Sequence, residues 1–285
     1  MTQDPVPRTS IGALIERYDA LLFDAYGVLV DTEGAMPGAI ETVARLNGLR
    51  KPYAVITNDA SKLPETAALR YQRFGLDISP GSILSSGSLL GSYFKHNQLD
   101  GCDCAVLGTD DSTQFVKQAG GNIVSVSDKF DLLVVGDENG FDFVSTVDAA
   151  LSSLFRSIDR GERVRLVLPN PDLIFPHGKD RFGIAAGSVA LIIEAALKRR
   201  YPQRSDLVFD RLGKPHPALY ESAMRRFDTR NAVMIGDQLE TDIAGALSCS
   251  IDSALIATGV ALIDASASDT SIRPTYWMPS LRDFS

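Results

Sequence analysis

The stretch ALLFDAYG, residues 20–27, decides how this chain is interpreted. Its apolar run ends at Asp24, and Gly27 follows where the backbone can turn freely. In open α/β sheets, the side chains that do chemistry follow the carboxyl ends of buried strands. The stretch therefore predicts a buried parallel strand with a functional carboxylate directly after it.

The composition indicates a globular protein that can bury a large core. The chain has 285 residues, 45% of them hydrophobic, and a formal net charge of −8. Nucleic acids require a basic face, so we expect no nucleic-acid partner. No segment approaches the roughly 18 apolar residues of a membrane span, and the N-terminus lacks a secretory pattern. We therefore expect a cytoplasmic protein with no membrane partner. Three cysteines predict neither a disulfide framework nor a metal knuckle.

Strand and helix patterns alternate along the chain, which is typical of parallel βαβ units. Besides the strand that ends at Asp24, short apolar runs predict strands at residues 53–56, 83–84, 105–107, 123–126, 132–135, 165–168, 208–209, 232–235 and 254–256. An amphipathic helix is predicted at about 143–158, and an apolar helix at 189–197. The stretch from about 100 to 186 is expected to be an α/β domain inserted into another.

Four segments carry residues suited to phosphoryl chemistry: FDAYGV (23–28), VITN (55–58), GKPHP (213–217) and MIGDQLETD (234–242). Each alone has an ordinary interpretation, since an aspartate after a strand is more often a turn former or a helix cap. Taken together, the segments predict one site. Asp24 and Asp237 both follow strands and can share a Mg²⁺ ion, with the Tyr26 carbonyl as a further ligand.

The remaining groups in these segments complete the predicted chemistry. The Thr57 hydroxyl would hold a phosphoryl oxygen, and Lys214 would neutralise the phosphoryl group. Lys214 would also keep the Asp24 carboxylate ionised beside the incoming anion. Asp24 could then attack phosphorus in line and form an acyl phosphate.

In this order, the four segments resemble the haloacid dehalogenase superfamily. The sequences GKPHP (213–217), GDQLETDIAGA (236–246) and NPD (170–172) resemble its class IIA branch, which includes phosphatases of nucleotides, sugar phosphates, p-nitrophenyl phosphate and pyridoxal phosphate. The resemblance covers nearly the whole chain. It implies a Rossmann-like core of residues 1–99 and 187–285, with an α/β cap of residues 100–186. The cap would close over the site and select a small phosphate ester, and pairing of caps could form a homodimer.

The resemblance also implies roles for individual residues. By position, Asp24 is the nucleophile, Lys214 orients the phosphate, Thr57 and Asn58 bind it, and Asp237 is a metal ligand with Asp242 as a supporting acid. In the cap, Asp172 and the stretch 175–177 would face the substrate, although a loop histidine such as His177 is more often a plain surface residue.

Tyr26 stands where phosphatases of this superfamily usually carry a second aspartate, which protonates the leaving alcohol. Phenols ionise only in alkaline solution, so Tyr26 is a poor replacement near neutral pH. Three interpretations stay open. The protein is a Mg²⁺-dependent phosphatase that is slow or restricted to good leaving groups, or a non-catalytic binder of phosphoryl ligands, or a 2-haloacid dehalogenase. The third is least favoured, because dehalogenases carry the DxYG motif but lack the acid pair of residues 237 and 242.

Overall fold

The computed structural model of the chain describes residues 5–176, 181–257 and 272–284. The strands are β1 (Ala20–Phe23), β2 (Tyr53–Thr57), β3 (Ile83–Ser85), β4 (Asp103–Leu107), β5 (Asn122–Ile123), β6 (Leu132–Val135), β7 (Arg165–Leu168), β8 (Ile174–Pro176), β9 (Phe182–Ile184), β10 (Asp210–Arg211), β11 (Ala232–Gly236), β12 (Asp252–Ile256) and β13 (Tyr276–Met278). The α-helices are α1 (Ile11–Arg17), α2 (Ala39–Leu49), α3 (Pro64–Arg73), α4 (Leu89–Asn97), α5 (Asp110–Gln118), α6 (Phe143–Asp159), α7 (Ala186–Arg200), α8 (Ala218–Phe227) and α9 (Ala244–Ser248). Within these ranges, no helix is long and apolar enough to cross a bilayer.

The larger sheet is parallel, with the strand order β13-β12-β11-β1-β2-β3. Strand β1 is buried along its length, which explains its unbroken apolar sequence. From β1 the chain builds outward through β2 and β3, and later returns to the other side of β1 with β11. The strand order therefore reverses between β1 and β11, and a crevice opens there at the carboxyl ends of the strands. Asp24 and Asp237 directly follow these two strands.

The second sheet is also parallel, with the order β10-β7-β6-β4-β5, and it lies in the chain between β3 and β11. Helices α6 and α7 pack on one of its faces and contribute to its hydrophobic cluster. Helices α4 and α5 pack on the other face through Phe94 and Phe115. Only α2 lies between β1 and β2. This architecture confirms the predicted α/β fold, with a Rossmann-like parallel core and an inserted α/β cap.

The packing of two helices and one strand bears on both expected borders of the cap. Helix α7 was expected in the core, but Val189, Ile193 and Leu197 are buried in the cluster of the cap sheet. Strand β10 pairs with β7 and also belongs to that sheet. At the other border, Leu90 and Phe94 of α4 pack against strands of the cap. We therefore propose that the cap extends from about residue 89 to 211 rather than from 100 to 186.

Several local elements differ from the sequence-based predictions. Strand β5 spans Asn122–Ile123 instead of 123–126, and β10 follows the predicted strand at 208–209. The C-terminal strand β13 was not predicted; it pairs with β12 at the edge of the core sheet. Met278 and Leu281 are buried in the core cluster there, so the C-terminal segment completes the core.

Candidate active site

Asp24 lies at the switch point of the core sheet with its side chain buried. Its backbone N–H donates to the Ile235 carbonyl at 2.9 Å, which continues the pairing of β1 with β11 by one residue. Its Oδ1 accepts a hydrogen bond from the Ala25 N–H at 2.7 Å. The carboxylate is therefore fixed by the backbone at the carboxyl end of the sheet, as its place in the sequence predicts.

Lys214 connects the first and last of the predicted segments. Its Nζ donates to Asp24 Oδ1 and to Asp242 Oδ1, both at 2.7 Å, and the side chain is only 3% exposed. Burial acts to lower the pKa of Lys214, but the carboxylates of Asp24 and Asp242 outweigh it and hold that pKa well above its ordinary value. A permanent positive charge therefore lies against the Asp24 carboxylate.

Three buried carboxylates converge beside this lysine. One ligand oxygen from each of Asp24, Asp237 and Asp242 lies within 4.8 Å of the others. The Asp242 Oδ2 accepts from the N–H groups of Asp237 and Gln238, both at 3.2 Å. Burial raises the pKa of Asp242 to about 6, against the opposing effect of Lys214. An all-oxygen donor set of this charge fits a hard divalent cation such as Mg²⁺.

Gly27 lets the backbone pass close to this carboxylate cluster. Its φ is +84°, and a Cβ atom there would lie 2.5 Å from Asp237 Oδ2. Both the left-handed backbone and the close approach therefore require glycine. The turn that follows Asp24 in the sequence is thus part of the wall of the site.

Tyr26 lines the same cavity as Asp24. Its hydroxyl accepts a hydrogen bond from the Arg70 guanidinium, whose Cζ also lies 5.0 Å from the centre of the tyrosine ring. Helix α3 supplies this arginine, so the tyrosine side chain is held by the core. The predicted role of the Tyr26 carbonyl as a metal ligand stays a prediction.

Asn58 ties three segments together. Its Oδ1 accepts from the Lys214 N–H at 2.7 Å, and its Nδ2 donates to the Lys214 carbonyl at 3.1 Å and to Asp172 Oδ1 at 2.8 Å. An amide has two N–H donors, and protein acceptors take both here. We therefore propose that Asn58 positions Lys214 and Asp172, in place of the predicted direct contact with phosphate.

The other predicted binding residues line the same cavity. Thr57 is buried, and its Oγ1 accepts from the Asp59 N–H at 3.2 Å. Burial raises the pKa of Asp172, opposed by Lys214. Phe175 also lines the cavity, whereas His177 lies outside the described residues.

The cavity has a volume of about 210 Å³ and is formed by both the core and the cap. Sequence reasoning missed several of its polar lining residues: Asp59, Lys62, Asp137, Glu138 and Asn139. Asp59 and Lys62 follow β2, and the other three follow the apolar strand β6. The signal that identified Asp24, a polar residue just after a buried strand, was therefore present in both of these loops.

Direct hydrogen bonds hold the cap against the core beside this cavity. The Thr109 hydroxyl donates to the Ser61 carbonyl at 2.7 Å, and the Ser112 hydroxyl donates to the Ala60 carbonyl at 2.9 Å. The Leu63 N–H donates to Asp111 Oδ2 at 2.9 Å. We call this set of three bonds the cap contact. It places the cap loops directly over the carboxyl end of β2.

Two family models match the chain. The model described as haloacid dehalogenase-like hydrolase matches residues 21–122, and the HAD-hydrolase-like model matches residues 211–284. A dihydroxyacetone phosphatase from Corynebacterium glutamicum (strain R) is 28% identical over 266 residues, which cover 92% of this chain and 89% of the relative.

Solved structures agree with these matches. A structure from Cytophaga hutchinsonii, described as a possible sugar phosphatase of the HAD superfamily, is 31% identical with a TM-score of 0.84, and the match covers 97% of this chain and 99% of that one. A glycerol phosphate phosphatase from Mycobacterium tuberculosis, solved in complex with calcium, is 25% identical with a TM-score of 0.78; the match covers 97% of this chain and 76% of that one. The extent of these similarities, together with the four ordered segments, shows that the chain belongs to the haloacid dehalogenase superfamily and to its class IIA branch.

Proposed function

We propose that this protein is a Mg²⁺-dependent phosphatase that hydrolyses small phosphate monoesters through a covalent intermediate on Asp24. The observation that carries the proposal is the buried contact of Lys214 with both Asp24 and Asp242, next to Asp237. The named relatives support it, because one is a dihydroxyacetone phosphatase and another a glycerol phosphate phosphatase.

The Asp24 carboxylate is the nucleophile of the proposed reaction. One of its oxygens forms a bond to phosphorus while the phosphorus–oxygen bond to the alcohol breaks in line with it. Water then attacks the phosphorus while the bond from phosphorus to the Asp24 oxygen breaks, so the carboxylate is restored and inorganic phosphate leaves with the protons of the water. Lys214 neutralises part of the phosphoryl charge, and the Thr57 hydroxyl binds a phosphoryl oxygen. A bound Mg²⁺, held by Asp24, Asp237, Asp242 and the Tyr26 carbonyl, would supply further positive charge to neutralise the phosphoryl group.

Tyr26 sets the limits of this activity in the proposal. The departing alkoxide needs a proton, and the loss of a positioned general acid typically lowers the rate by about 10²–10⁴-fold. The Tyr26 hydroxyl accepts a hydrogen bond from Arg70, which orients it. We expect the protein to be fastest with aryl and acyl phosphates, whose leaving groups need no proton.

The decisive experiment compares p-nitrophenyl phosphate with an alkyl phosphate for the wild type, Asp24→Asn and Tyr26→Asp. We expect phosphate release that depends on Mg²⁺ and is abolished by Asp24→Asn. Tyr26→Asp should increase release, and more for the alkyl ester. Heat stabilisation by Mg²⁺ and a phosphate ester without any release would favour a binding protein. Halide release from a 2-haloacid in the presence of a chelator would favour a dehalogenase.

A further inference from the structure

The cap contributes an acidic pair, Asp137 and Glu138, to the wall of the cavity that holds Asp24. Both residues follow the buried strand β6, so they leave the cap sheet at its carboxyl end. Asp137 is only 8% exposed. The pair belongs to neither the proposed metal site nor the proposed phosphate site.

The loop that carries the pair is tightly held. Gly136 and Gly140 begin and end it, and a Cβ atom on Gly136 would lie 2.7 Å from Ser112 Cβ. A Cβ atom on Gly140, whose φ is +92°, would lie 2.5 Å from the Gly108 carbonyl oxygen. The loop therefore packs on residues 108–112, which form the turn before α5 and the start of this helix, and residues 109–112 make the cap contact with the core. Asp137 and Glu138 are thus fixed over the cavity.

On the cap side of the cavity, negative charge is in excess over positive charge. Lys214 is paired with Asp24, and Lys62 is paired with Asp59 at 3.1 Å. Asp137 and Glu138 make no ion pair within the part of the chain that the structure describes. Asn139 donates a hydrogen bond to each of them: its N–H donates to Asp137 Oδ1 at 3.0 Å and its Nδ2 donates to Glu138 Oε1 at 2.7 Å.

The surroundings of the pair are consistent with this excess of negative charge. Burial raises the pKa of Asp137. Burial and the neighbouring Asp137 raise the pKa of Glu138 to about 7. Asp59 adds to both effects, and Lys62 opposes them. A ligand that donates hydrogen bonds would therefore stabilise the two carboxylates, whereas a second anion would be repelled by them.

We infer that Asp137 and Glu138 select phosphate esters whose organic part carries hydrogen-bond donors and no negative charge. This inference rests on the proposed function, because it assigns the organic part of the substrate to the cap side of the cavity. Hydroxyl or ammonium groups of the ester donate to the two carboxylates, while a carboxylate or a second phosphate is rejected by like charge.

The test uses three esters that differ in one group: ethylene glycol monophosphate, phosphoethanolamine and phosphoglycolate. We expect kcat/KM of the wild type, with Mg²⁺, to be at least about tenfold lower for phosphoglycolate than for the other two. Asp137→Asn, Glu138→Gln and the double variant should shrink this difference. Asp148→Asn removes an exposed acid from α6 of the same cap and should leave the difference unchanged.

Comparison among variants cancels the intrinsic reactivity of the three esters, because this reactivity is the same for every protein. Equal hydrolysis of phosphoglycolate by the wild type, or an unchanged difference in the double variant, would overturn the inference. If the wild type does not hydrolyse p-nitrophenyl phosphate, the proposed function fails. The inference is then decided by the heat stabilisation that each of the three esters gives that chain with Mg²⁺, with the same order expected.

Discussion

Replacing Lys214 with methionine tests the electrostatic centre of the site. Methionine is unbranched, keeps most of the length of the side chain and removes its charge. Lys214 Nζ contacts two buried carboxylates at 2.7 Å, so the substitution leaves Asp24 and Asp242 facing each other without a cation. Removing one partner of a buried ion pair costs about 3–5 kcal/mol. We expect Lys214→Met to lower the free energy of unfolding by at least this amount in the absence of divalent cations.

Lys62→Met is the matched control, because Lys62 lines the same cavity. Its side chain is 30% exposed and it pairs with a single carboxylate, Asp59. Pairs of this kind contribute at most about 1 kcal/mol. The measurement is urea unfolding followed by circular dichroism, in EDTA and again in Mg²⁺. The three converging carboxylates that could bind a divalent ion lie beside Lys214. Mg²⁺ should therefore recover part of the lost free energy of unfolding in Lys214→Met and not in Lys62→Met.

A double-mutant cycle with Asp24→Asn separates the ion pair from other effects of the substitution. The loss caused by Lys214→Met should be smaller when Asp24 is already neutral. The reasoning fails if Lys214→Met costs no more than Lys62→Met, or if the cycle shows no coupling between Lys214 and Asp24.

Two further predictions concern the turn after β1 and the acidic pair of the cap. Gly27→Ala should lower Mg²⁺ affinity and activity, because φ is +84° and the new methyl group would displace Asp237. The control is Gly48→Ala, inside α2 with no atom within 4 Å of its added Cβ, which should leave the free energy of unfolding unchanged or raise it by up to about 1 kcal/mol. Equal activity in both variants would contradict this view. Burial and the neighbouring Asp137 raise the pKa of Glu138 from its ordinary value of 4.5 to about 7, so the folded state loses stability relative to the unfolded state as the pH rises from about 4.5 to about 7. Thermal unfolding should therefore show a Tm gain for Glu138→Gln that is small at pH 4 and largest at pH 8; a gain that does not depend on pH would refute this cause.

The sequence predicted the position of the site because parallel strands bring their carboxyl ends to one edge. Asp24 and Asp237 each follow a buried strand of the core, Thr57 is the last residue of another, and the structure brings the three to one crevice. Lys214 lies on a loop instead, yet its glycine and proline neighbours marked it as a held residue, and the structure buries it against Asp24.

The cap could not be predicted to the same depth, because periodicity shows that a helix is amphipathic but not which sheet it covers. Helix α7 has the same apolar character whether it packs on the core or on the cap, and only the tertiary structure shows that Ile193 lies in the cap cluster. Likewise, Asp137 and Glu138 could be recognised as residues after a strand. Their place above Asp24 depends on how the cap is oriented, which no local pattern encodes.

The core side of the cap contact consists entirely of main-chain groups: the carbonyls of Ala60 and Ser61 and the N–H of Leu63. Every side chain in the contact comes from the cap. Side-chain substitutions at residues 60–63 of the core can therefore change the chemistry of this stretch without breaking the cap contact, provided that the backbone path is kept. During evolution, the same core can in this way combine with caps of different sequence. The protein can then acquire new substrates while the cap contact is kept.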